Sequence, residues 1–322
     1  MLDVEKLANE IINGKNITKD EAMELYSAPL EVLTKYANKI REYFCKNDFD
    51  ICTIINAKSG RCSEDCKFCA QSAFNNTEVD EYPLLSKEQV VREAKNNANL
   101  GVLRFSIVTS GRTLSDLEID KLVEIVREIV STTDIKVCVS AGLLSTEQFI
   151  KLKEAGVSRI HNNLETSPDN FCNICSTHSI NDKIEAIKRA QAVGLQVCSG
   201  GIVGLGESIS DRINMAFTLK ELGIKSIPIN MLNAIKGTPF QDNIKITDAE
   251  MQRIVAVYRF ILPTTTIRLA GGRGIMKDKG IGCFKAGANA TISGDMLTTA
   301  GITVATDMQI IKELGFIPKI NE

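Results

Sequence analysis

The fold is decided by the stretch VLRFSIVT at residues 102–109, the helical segment after it, and IKVCVS at residues 135–140. Both runs are short, mostly apolar and rich in β-branched residues, which is typical of strands. Between them apolar residues recur at helical spacing, so one stripe faces a core; the stripe consists of Leu122, Ile125, Val126 and Ile129. Strands separated by helices belong to parallel sheets that are covered on both faces. The stretch therefore predicts a strand, a helix and a second, parallel strand.

The same alternation is repeated along the chain. Eight strand-like runs lie at residues 51–56, 102–109, 135–140, 158–163, 196–203, 226–230, 265–270 and 290–293. Capping boxes, in which Ser or Thr is followed three residues later by Glu or Gln, mark helix starts at Thr18, Ser86, Ser145 and Thr247. Eight such units predict an α/β protein, a TIM-type (β/α)8 barrel that forms a single domain over residues 46–322. An N-terminal helical extension is expected over residues 1–45, and an open, doubly wound sheet is the alternative.

Composition excludes several classes of function. The 322 residues are 44% apolar and 24% charged with a formal net charge of -2, as expected of a globular protein with a large core. This balance gives no reason to expect nucleic acid or an anionic membrane as a partner. No long apolar run predicts a transmembrane helix or a signal peptide, so the cytoplasm is the expected compartment. Ten cysteines in a reducing compartment are more typical of metal or catalytic sites than of disulfides.

Three cysteines share one loop directly after the first predicted strand. Residues 59–72 read SGRCSEDCKFCAQS, which sets Cys62, Cys66 and Cys69 in a CxxxCxxC pattern. A loop this tight can place three thiolates at three corners of an iron-sulfur cubane and leave the fourth iron without a protein ligand. A structural zinc site or three packed cysteines are the alternatives. Zinc needs four ligands and this loop offers three, while a polar surface loop is a poor place for packed thiols.

This loop, with Phe68 before its last cysteine and a position at the mouth of a barrel's first strand, resembles the radical S-adenosylmethionine superfamily. The resemblance implies that Cys62, Cys66 and Cys69 hold a 4Fe-4S cluster whose open iron binds the amino and carboxylate groups of S-adenosylmethionine. It also implies that one electron splits this molecule into methionine and a 5′-deoxyadenosyl radical. In such enzymes the cofactors carry the difficult chemistry, and the protein orients them and keeps the radical from solvent.

Further segments, from about residue 40 onward, resemble the biotin synthase family within that superfamily. They are FCAQS at 68–72, CSGGIVGLGE at 198–207, IPINML at 227–232, KGTP at 236–239, IRLAGGR at 267–273 and LTT at 297–299. The resemblance implies conversion of dethiobiotin to biotin, with sulfur taken from an auxiliary iron-sulfur cluster that is 2Fe-2S in the family. It also implies a reduced flavodoxin or ferredoxin as electron donor, and a homodimer.

Cys138, Cys198 and Arg268 match the positions that hold the auxiliary cluster in the family. All three fall within predicted strands, so their side chains can point into the barrel. Apart from the resemblance, the two thiols fit equally well as small core residues, and Arg268 as a buried partner of a carboxylate on a neighbouring strand. One family ligand is missing. Ser106 stands where the family has a third cysteine, and a hydroxyl is a much poorer iron ligand than a thiolate.

Cys172 and Cys175 form a CxxC in the loop after the fourth predicted strand, a feature that the usual loop of the family lacks. Relative to the family, the chain lacks one cysteine ligand and has two additional cysteines, which leads to a hypothesis about the auxiliary cluster. It is expected to be bound differently, as a four-iron cluster that uses Cys138 and Cys198 with one or both of these thiols. An inert exposed pair or a small disulfide is the alternative.

Several polar residues match family positions that contact S-adenosylmethionine or the substrate. Asn163 and Glu165 match contacts to the ribose hydroxyls and the substrate, although Glu replaces Asp here. His161 and Asn162 stand where the family has Asn-His, and His161 is expected to be an ordinary barrel histidine. Lys183 replaces the arginine that meets the methionyl carboxylate, so it keeps the charge but loses the bidentate fork. A solvated helix lysine is the alternative at that position.

Asn230 suits the ureido ring of the substrate, because an amide both donates and accepts hydrogen bonds. Thr298 and Thr299 match residues that hold the carboxylate of the substrate, with a helix cap as the alternative. Close approach of the backbone to the adenosyl group is expected at three glycines, Gly200, Gly201 and Gly204.

Two other functions compete with sulfur insertion. One is a sister radical enzyme, of the hydrogenase-maturase or methylornithine-synthase type. Such an enzyme would need no buried sulfur donor, whereas Cys138, Cys198 and Arg268 imply one. The other is an iron-sulfur carrier or redox sensor, which would need no open iron site. The remaining cysteines, Cys45, Cys52 and Cys283, are expected to be packing residues.

Overall fold

Parallel strands close into a barrel in the computed structural model, which describes residues 2–320. The strands are β1 (Asp48–Lys58), β2 (Arg104–Thr109), β3 (Lys136–Ser140), β4 (Arg159–His161), β5 (Gln196–Cys198), β6 (Gly201–Val203), β7 (Ser226–Met231), β8 (Thr266–Leu269), β9 (Ala290–Ser293) and β10 (Ile317–Pro318). Each barrel strand pairs with the next in parallel register, and β9 pairs with β1. This closure confirms the predicted barrel and excludes the open sheet.

Two details differ from the predicted strands. The run at residues 196–203 is interrupted, so that β5 and β6 share one place in the barrel and both pair with β7. The short strand β10 adds to the outer end of β1, where Asp48 lies opposite Ile317. Eight strand positions therefore surround the barrel, as the pattern of the sequence indicated.

Helices follow the strands and cover the outside of the barrel. They are α4 (Lys87–Asn99), α5 (Asp116–Thr132), α6 (Thr146–Ala155), α7 (Ile180–Ala192), α8 (Ile209–Glu221), α9 (Asp248–Ile261), α10 (Ile281–Lys285) and α11 (Val304–Glu313). The stripe predicted on α5 is buried, which confirms that this face packs on the strands. Among the described residues, no helix combines the length and the apolar character needed to cross a bilayer.

Three of the four predicted capping boxes form completely, at Thr18, Ser86 and Ser145. At the fourth, Thr247 accepts a hydrogen bond from the backbone of Glu250, but the Glu250 carboxylate does not return to the cap. It binds the Arg212 guanidinium at 2.6 Å and accepts a hydrogen bond from the Tyr26 hydroxyl at 2.6 Å. A charge-assisted contact is stronger than a neutral cap bond, so tertiary partners override this local motif.

Three helices precede β1, as expected for residues 1–45: α1 (Val4–Ile12), α2 (Lys19–Tyr26) and α3 (Leu30–Cys45). They pack against α8 and α9 on one side of the barrel. The Arg253 guanidinium fastens the turn between α2 and α3 by donating to the carbonyls of Tyr26 and Ala28, at 2.8 and 2.7 Å. The domain boundary at residue 45 stays a prediction.

Alternation along the strands separates an apolar outer layer from a polar interior. On β1, Phe49 and Ile51 belong to the core between strands and helices, whereas Asp50 meets arginines from three other strands inside the barrel. Cys52, two residues further along, lines the central cavity. The polar face of the barrel is therefore its inside, which is where a site can form.

Candidate active site

A cavity of about 400 Å³ occupies the barrel interior and its mouth. It is lined by residues within strands and by the loops that follow them, as a TIM-type barrel requires of a site at the C-terminal ends of its strands. Thirteen of the predicted site residues line it: Cys62, Cys66, Phe68, Cys69, Cys138, Asn163, Glu165, Lys183, Cys198, Asn230, Arg268, Thr298 and Thr299. The structure thus brings together residues that are more than 200 positions apart in the chain.

The loop that carries Cys62, Cys66 and Cys69 is closed by its own hydrogen bonds. The Cys62 N–H donates to the carbonyl of Gln71 at 2.8 Å, and the Cys62 carbonyl accepts from the Ala73 N–H at 2.9 Å. The Asn75 amide donates to the carbonyls of Cys66 and Cys69, at 3.2 and 2.8 Å. All three thiols are free and half-buried at one end of the cavity. The backbone thus holds three soft ligands toward one space.

A second loop, at residues 171–178, braces the cysteine loop from outside. The Asp65 carboxylate accepts hydrogen bonds from the backbone N–H groups of Ser176 and Thr177, at 2.8 and 3.2 Å. Burial raises the pKa of Asp65, but these hydrogen bonds outweigh it and hold that pKa well below its usual range. The Lys67 N–H donates to the carbonyl of Ile174 at 3.0 Å. The two loops therefore form one ordered unit.

This bracing loop decides where the predicted CxxC lies. The Cys175 sulfur is 3.8 Å from the Cys66 sulfur and 3.2 Å from Nδ1 of His178. This imidazole nitrogen is also 2.6 Å from the Glu64 carboxylate. Cys172 is exposed, and neither residue of the CxxC lines the cavity. These thiols therefore lie apart from the cavity that Cys138 and Cys198 line, and their part in the auxiliary cluster stays a prediction. The loop has docked on the outside of the cysteine loop instead of turning into the barrel.

The contact between Cys66, Cys175 and His178 was not visible in the sequence. Their ligating atoms lie within 4.8 Å of one another, close enough for a single metal ion. The group offers three ligands, one of which belongs to the CxxxCxxC motif, so it lacks the fourth ligand that a closed structural zinc site needs. No local pattern could have revealed this group, because Cys66 and Cys175 are 109 positions apart in the chain.

The floor of the cavity is built around one buried carboxylate. Asp50 on β1 accepts from Arg104 on β2 at 3.0 Å, and it pairs with Arg268 on β8 at 3.1 Å and with Arg159 on β4 at 3.7 Å. All four side chains are almost fully inaccessible to solvent. Arg268 also donates to the carbonyls of Asp50 and Thr291, at 3.0 and 2.7 Å. The ion pair considered for Arg268 is therefore present, and its carboxylate lies on β1.

Thiols lie above this floor. Cys138 on β3 and Cys198 on β5 are buried and line the cavity, as expected, and Ser106 lies beside Cys138 in the register of β2 and β3. Burial raises the pKa of the Cys138 thiol. Burial also raises the pKa of Cys198, but its register partner His161 and the guanidinium groups of Arg159 and Arg268 outweigh this and lower it to about 6. The floor therefore favours the thiolate at Cys198 and the neutral thiol at Cys138.

A third thiol on the floor was missed by the sequence interpretation. Cys52, which was expected to be a packing residue, lines the same cavity. The signal that could have found it is the alternation on β1, because Asp50 and Cys52 share one face of that strand and a buried aspartate does not face an apolar layer.

Asn163 and Glu165 lie close together after β4. The Asn163 amide accepts from the Gly200 N–H at 3.0 Å and donates to the Glu165 carboxylate at 3.3 Å. The Asn230 amide donates to the carbonyl of Gly201 at 3.0 Å and accepts from the Gly271 N–H at 2.9 Å. Both amides therefore orient the backbone that surrounds the cavity, and each also lines it.

Close packing of the backbone explains why residues 200 and 201 are glycines, which the sequence did not show. A Cβ atom at Gly200 would lie 1.9 Å from the Pro228 carbonyl oxygen, and one at Gly201 would lie 2.5 Å from the Glu165 carbonyl oxygen. Adjacent backbones thus approach each other here too closely for any side chain. Gly204, with φ +99°, ends this segment in the left-handed region. These glycines shape the wall between β5 and β6 and are not themselves among the cavity-lining residues.

Lys183 on α7 points toward the cysteine loop. Its charge acts to lower the pKa of His178, where only burial has a larger effect, and that of Cys66, where the hydrogen bond with Cys175 and burial raise the pKa by more. Among the described residues, none lies within hydrogen-bond distance of its ammonium group. A half-buried cation at the cavity wall without a carboxylate partner is suited to receive an anion.

Thr298 and Thr299 lie in the loop after β9. The Met296 N–H donates to the carbonyl of Thr299 at 2.9 Å, and the Asn56 amide fastens this loop to β1 through the carbonyl of Leu297 at 3.1 Å. The cap of α11 is Thr303, so neither residue is a helix cap. Both side chains line the cavity at its mouth.

The donor sets fit iron-sulfur groups. Three thiols of one loop line the mouth of the cavity, and on the floor His161 and two guanidinium groups favour the thiolate of Cys198, which is the form that binds iron. Thiolates are the soft ligands that such clusters require. The arrangement can hold one cluster next to solvent and a second group deep in the barrel, with space for small molecules between them.

Comparisons with known proteins agree with this geometry. A family model of the Radical SAM superfamily matches residues 57–219, and one of the Biotin and Thiamin Synthesis associated domain matches residues 228–317. The biotin synthase of Brachyspira hyodysenteriae is 55% identical over 321 residues, which cover 100% of this chain and 96% of the relative. A biotin synthase of Clostridium botulinum is 50% identical over 316 residues, covering 98% of this chain and 99% of the relative.

Two solved structures share the fold at low identity. Methylornithine synthase has a TM-score of 0.85 at 18% identity, with 98% of each chain covered. HydG, a maturase of the FeFe-hydrogenase, has a TM-score of 0.84 at 19% identity and covers 98% of this chain and 75% of that one. At such identities the likeness shows the fold alone.

Proposed function

The chain belongs to the biotin synthase family of the radical S-adenosylmethionine superfamily, and from this premise we propose how its residues divide the work of converting dethiobiotin to biotin. The protein is a radical enzyme of the sulfurtransferase class, with a 4Fe-4S cluster and S-adenosylmethionine as cofactors. The observation that carries the proposal is the cavity itself, which has cysteines at both ends and polar residues between them. When bound, the cofactors supply a 5′-deoxyadenosyl radical at the mouth, and an auxiliary iron-sulfur group supplies sulfur from the floor.

Cys62, Cys66 and Cys69 hold the 4Fe-4S cluster in this proposal. Their loop leaves one cluster corner without a protein ligand, which is where S-adenosylmethionine binds. The bracing by Asp65 keeps the three sulfur atoms in place whether or not that ligand is present. Phe68 lies between Cys66 and Cys69 at the cavity wall, where its ring limits the access of water to the reacting atoms.

The cavity wall orients S-adenosylmethionine. Lys183 receives the methionyl carboxylate, for which its unpaired ammonium group is suited. Glu165 and Asn163 bind the ribose hydroxyls, and their mutual hydrogen bond at 3.3 Å keeps the carboxylate directed into the cavity. Gly200, Gly201 and Gly204 lie behind the cavity lining and shape the wall beside which the adenosyl group lies.

Dethiobiotin binds between the mouth and the floor. Thr298 and Thr299 hold its carboxylate at the mouth, and Asn230 together with Asn163 holds its ureido ring. Each of these amides is already hydrogen-bonded to backbone groups, so its orientation is set before the substrate binds. A pre-oriented amide loses little entropy on binding, which favours accurate placement of the carbon atoms that lose hydrogen.

The auxiliary sulfur donor is held on the floor by Cys138, Cys198 and Arg268. The lowered pKa of Cys198 supports this role, because thiolates are the form that binds iron. Cys172 and Cys175 are left out of this ligand set because they lie outside the cavity lining. We therefore propose a ligand set without these two thiols, and counting iron decides the nuclearity of the cluster.

Three further parts of the proposal follow from the family. The electron donor is a reduced flavodoxin or ferredoxin, the assembly is a homodimer, and the location is cytoplasmic. Analytical ultracentrifugation tests the dimer. Reduction of the protein by purified flavodoxin or ferredoxin, in place of dithionite, tests the electron donor.

The deciding experiment is an anaerobic reaction of reconstituted protein with reductant, S-adenosylmethionine and dethiobiotin, read by mass spectrometry together with iron and sulfide counts. Biotin formation is expected, with about eight irons per chain for a four-iron auxiliary cluster or about six for a two-iron one. 5′-Deoxyadenosine without biotin or a thiolated intermediate would favour a sister radical enzyme and contradict the proposed substrate. Failure to cleave S-adenosylmethionine would leave an iron-sulfur carrier.

A further inference from the structure

The structure assigns a place to each of the ten cysteines. Three lie in the CxxxCxxC loop, Cys138 and Cys198 on the floor, Cys175 against Cys66, and Cys172 at the surface. Cys45 contacts the Arg259 guanidinium at 3.5 Å, far from the cavity lining, and Cys283 is packed in the apolar core. This leaves Cys52 as the one other thiol that faces the cavity.

Cys52 is 6% exposed and lies on the polar face of β1. It is opposite Arg104 on β2 and Ile292 on β9, two residues above the Asp50 carboxylate. Its sulfur contacts the carbonyl of its neighbour Thr53 at 3.3 Å, and within residues 2–320 no other polar contact is recorded for it. A buried thiol that lines the cavity beside a charged floor, and that lies outside the apolar core cluster, is not explained by core packing alone.

Cys52 shares the space of the other floor thiols. Cys52, Cys138, Cys198 and Arg268 all line the same cavity, from β1, β3, β5 and β8. The three thiols and the guanidinium therefore surround one common volume.

We propose that Cys52 is the third cysteine ligand of the auxiliary iron-sulfur group, in the place that Ser106 leaves without a thiolate. The inference rests on the proposed sulfur-inserting function. Ser106 is opposite Ile54 on β1, so the thiol has moved by one strand and by one inward-facing position toward Asp50. Ligands on β1, β3 and β5, with Arg268 on β8, then surround the barrel axis from separate directions.

This placement has a chemical reason. With Cys52 the number of thiolate ligands rises from two to three, and the hydroxyl of Ser106 does not compete for iron. Moving the group toward the floor brings it closer to Arg268 and the other guanidinium groups, which offset the negative charge of three thiolates. The same step leaves more space between the floor and the loop that carries Cys69, where substrate has to fit.

The test uses the full chain, reconstituted anaerobically, and counts iron and sulfide without turnover. Cys52→Ser is nearly isosteric, and it is expected to lose the auxiliary group and to retain about four irons and four sulfides per chain. Its visible and Mössbauer spectra should then show the 4Fe-4S cluster alone, and cleavage of S-adenosylmethionine should continue. Cys283→Ala, a buried thiol outside the site, is the matched control and should keep the iron content of the parent protein.

A swapped variant, Cys52→Ser with Ser106→Cys, separates loss of a ligand from loss of stability. It should regain at least half of the lost iron, because the thiol returns to the strand where the family carries it. Retention of the full iron count and spectrum by Cys52→Ser would overturn the inference and leave the sulfur-donor proposal intact. A parent protein that never exceeds about four irons would overturn both. Unfolding temperatures of all variants, measured by circular dichroism, identify any that do not fold.

Discussion

Replacement of Asp50 by Asn is expected to be the most destabilising single isosteric change on the floor. The carboxylate is fully buried and contacts Arg104, Arg268 and Arg159, at 3.0, 3.1 and 3.7 Å. Burial raises the pKa of Asp50, but the three guanidinium groups together lower it below its usual range, so the group is charged throughout the neutral range. The amide keeps the shape of the side chain and removes only its charge.

The magnitude follows from the distances. Each contact near 3–4 Å is worth about 4 kcal/mol of attraction at an effective dielectric constant of about 20, and desolvation of the charges offsets much of it. Removing one partner leaves the desolvation cost of the others in place, which typically destabilises a protein by about 3–5 kcal/mol. Because this one carboxylate contacts three arginines, we expect a loss at the upper end of that range.

Anaerobic urea unfolding of the variant and its parent, followed by far-ultraviolet circular dichroism, measures this loss. Asp307→Asn is the matched control, because Asp307 is equally buried but pairs with one arginine, Arg273, at 2.5 Å. Asp50→Asn should lower the free energy of unfolding by more than Asp307→Asn does. A decrease below about 1 kcal/mol, or an equal effect of the two changes, would refute the view that the charge of Asp50 stabilises the three arginines it contacts.

Three other outcomes are expected. The Cys172→Ala/Cys175→Ala variant should keep the auxiliary iron and sulfide of the parent protein; loss of that iron would return these thiols to the ligand set. Gly200→Ala should lower the unfolding temperature by about 5 °C or more, since its Cβ would lie 1.9 Å from the Pro228 carbonyl oxygen, while Gly274→Ala, whose Cβ meets nothing closer than 3.5 Å, should be tolerated. Lys183→Met should weaken S-adenosylmethionine binding about 10-fold or more in equilibrium dialysis, because a charge-assisted contact is lost. Lys188→Met, which removes an exposed partner of Glu185 on the same helix, should bind like the parent, and equal weakening by both would contradict the contact.

The barrel was predictable because its determinants are local. Strand runs, helical stripes and the caps at Thr18, Ser86 and Ser145 depend on residues a few positions apart, and each formed where expected. The exceptions are places where a distant group intervenes. Glu250 leaves its cap for Arg212, and the strand at residues 196–203 breaks where the backbone of Pro228 passes Gly200.

The site was predictable where a short motif carries the chemistry. Cys62, Cys66 and Cys69 need only their spacing, and the resemblance placed Cys138, Cys198 and Arg268 on the floor. The positions of Cys175 and Cys52 could not be predicted from the sequence. Nothing along the chain indicates that the loop of Cys175 docks against Cys66, or that Cys52 lies on the face of β1 that lines the cavity.

The sequence by itself determined the order of strands and helices, the cluster-binding loop and the family, since these follow from local periodicity and contiguous motifs. Only the tertiary structure decided which thiols share a space. Closing the barrel brings β1, β3, β5 and β8 to a common axis, and there Asp50 gathers three arginines and Cys52 lies with Cys138 and Cys198. Distances across the axis depend on strand register and barrel closure, which are properties of the whole sheet and of no single segment.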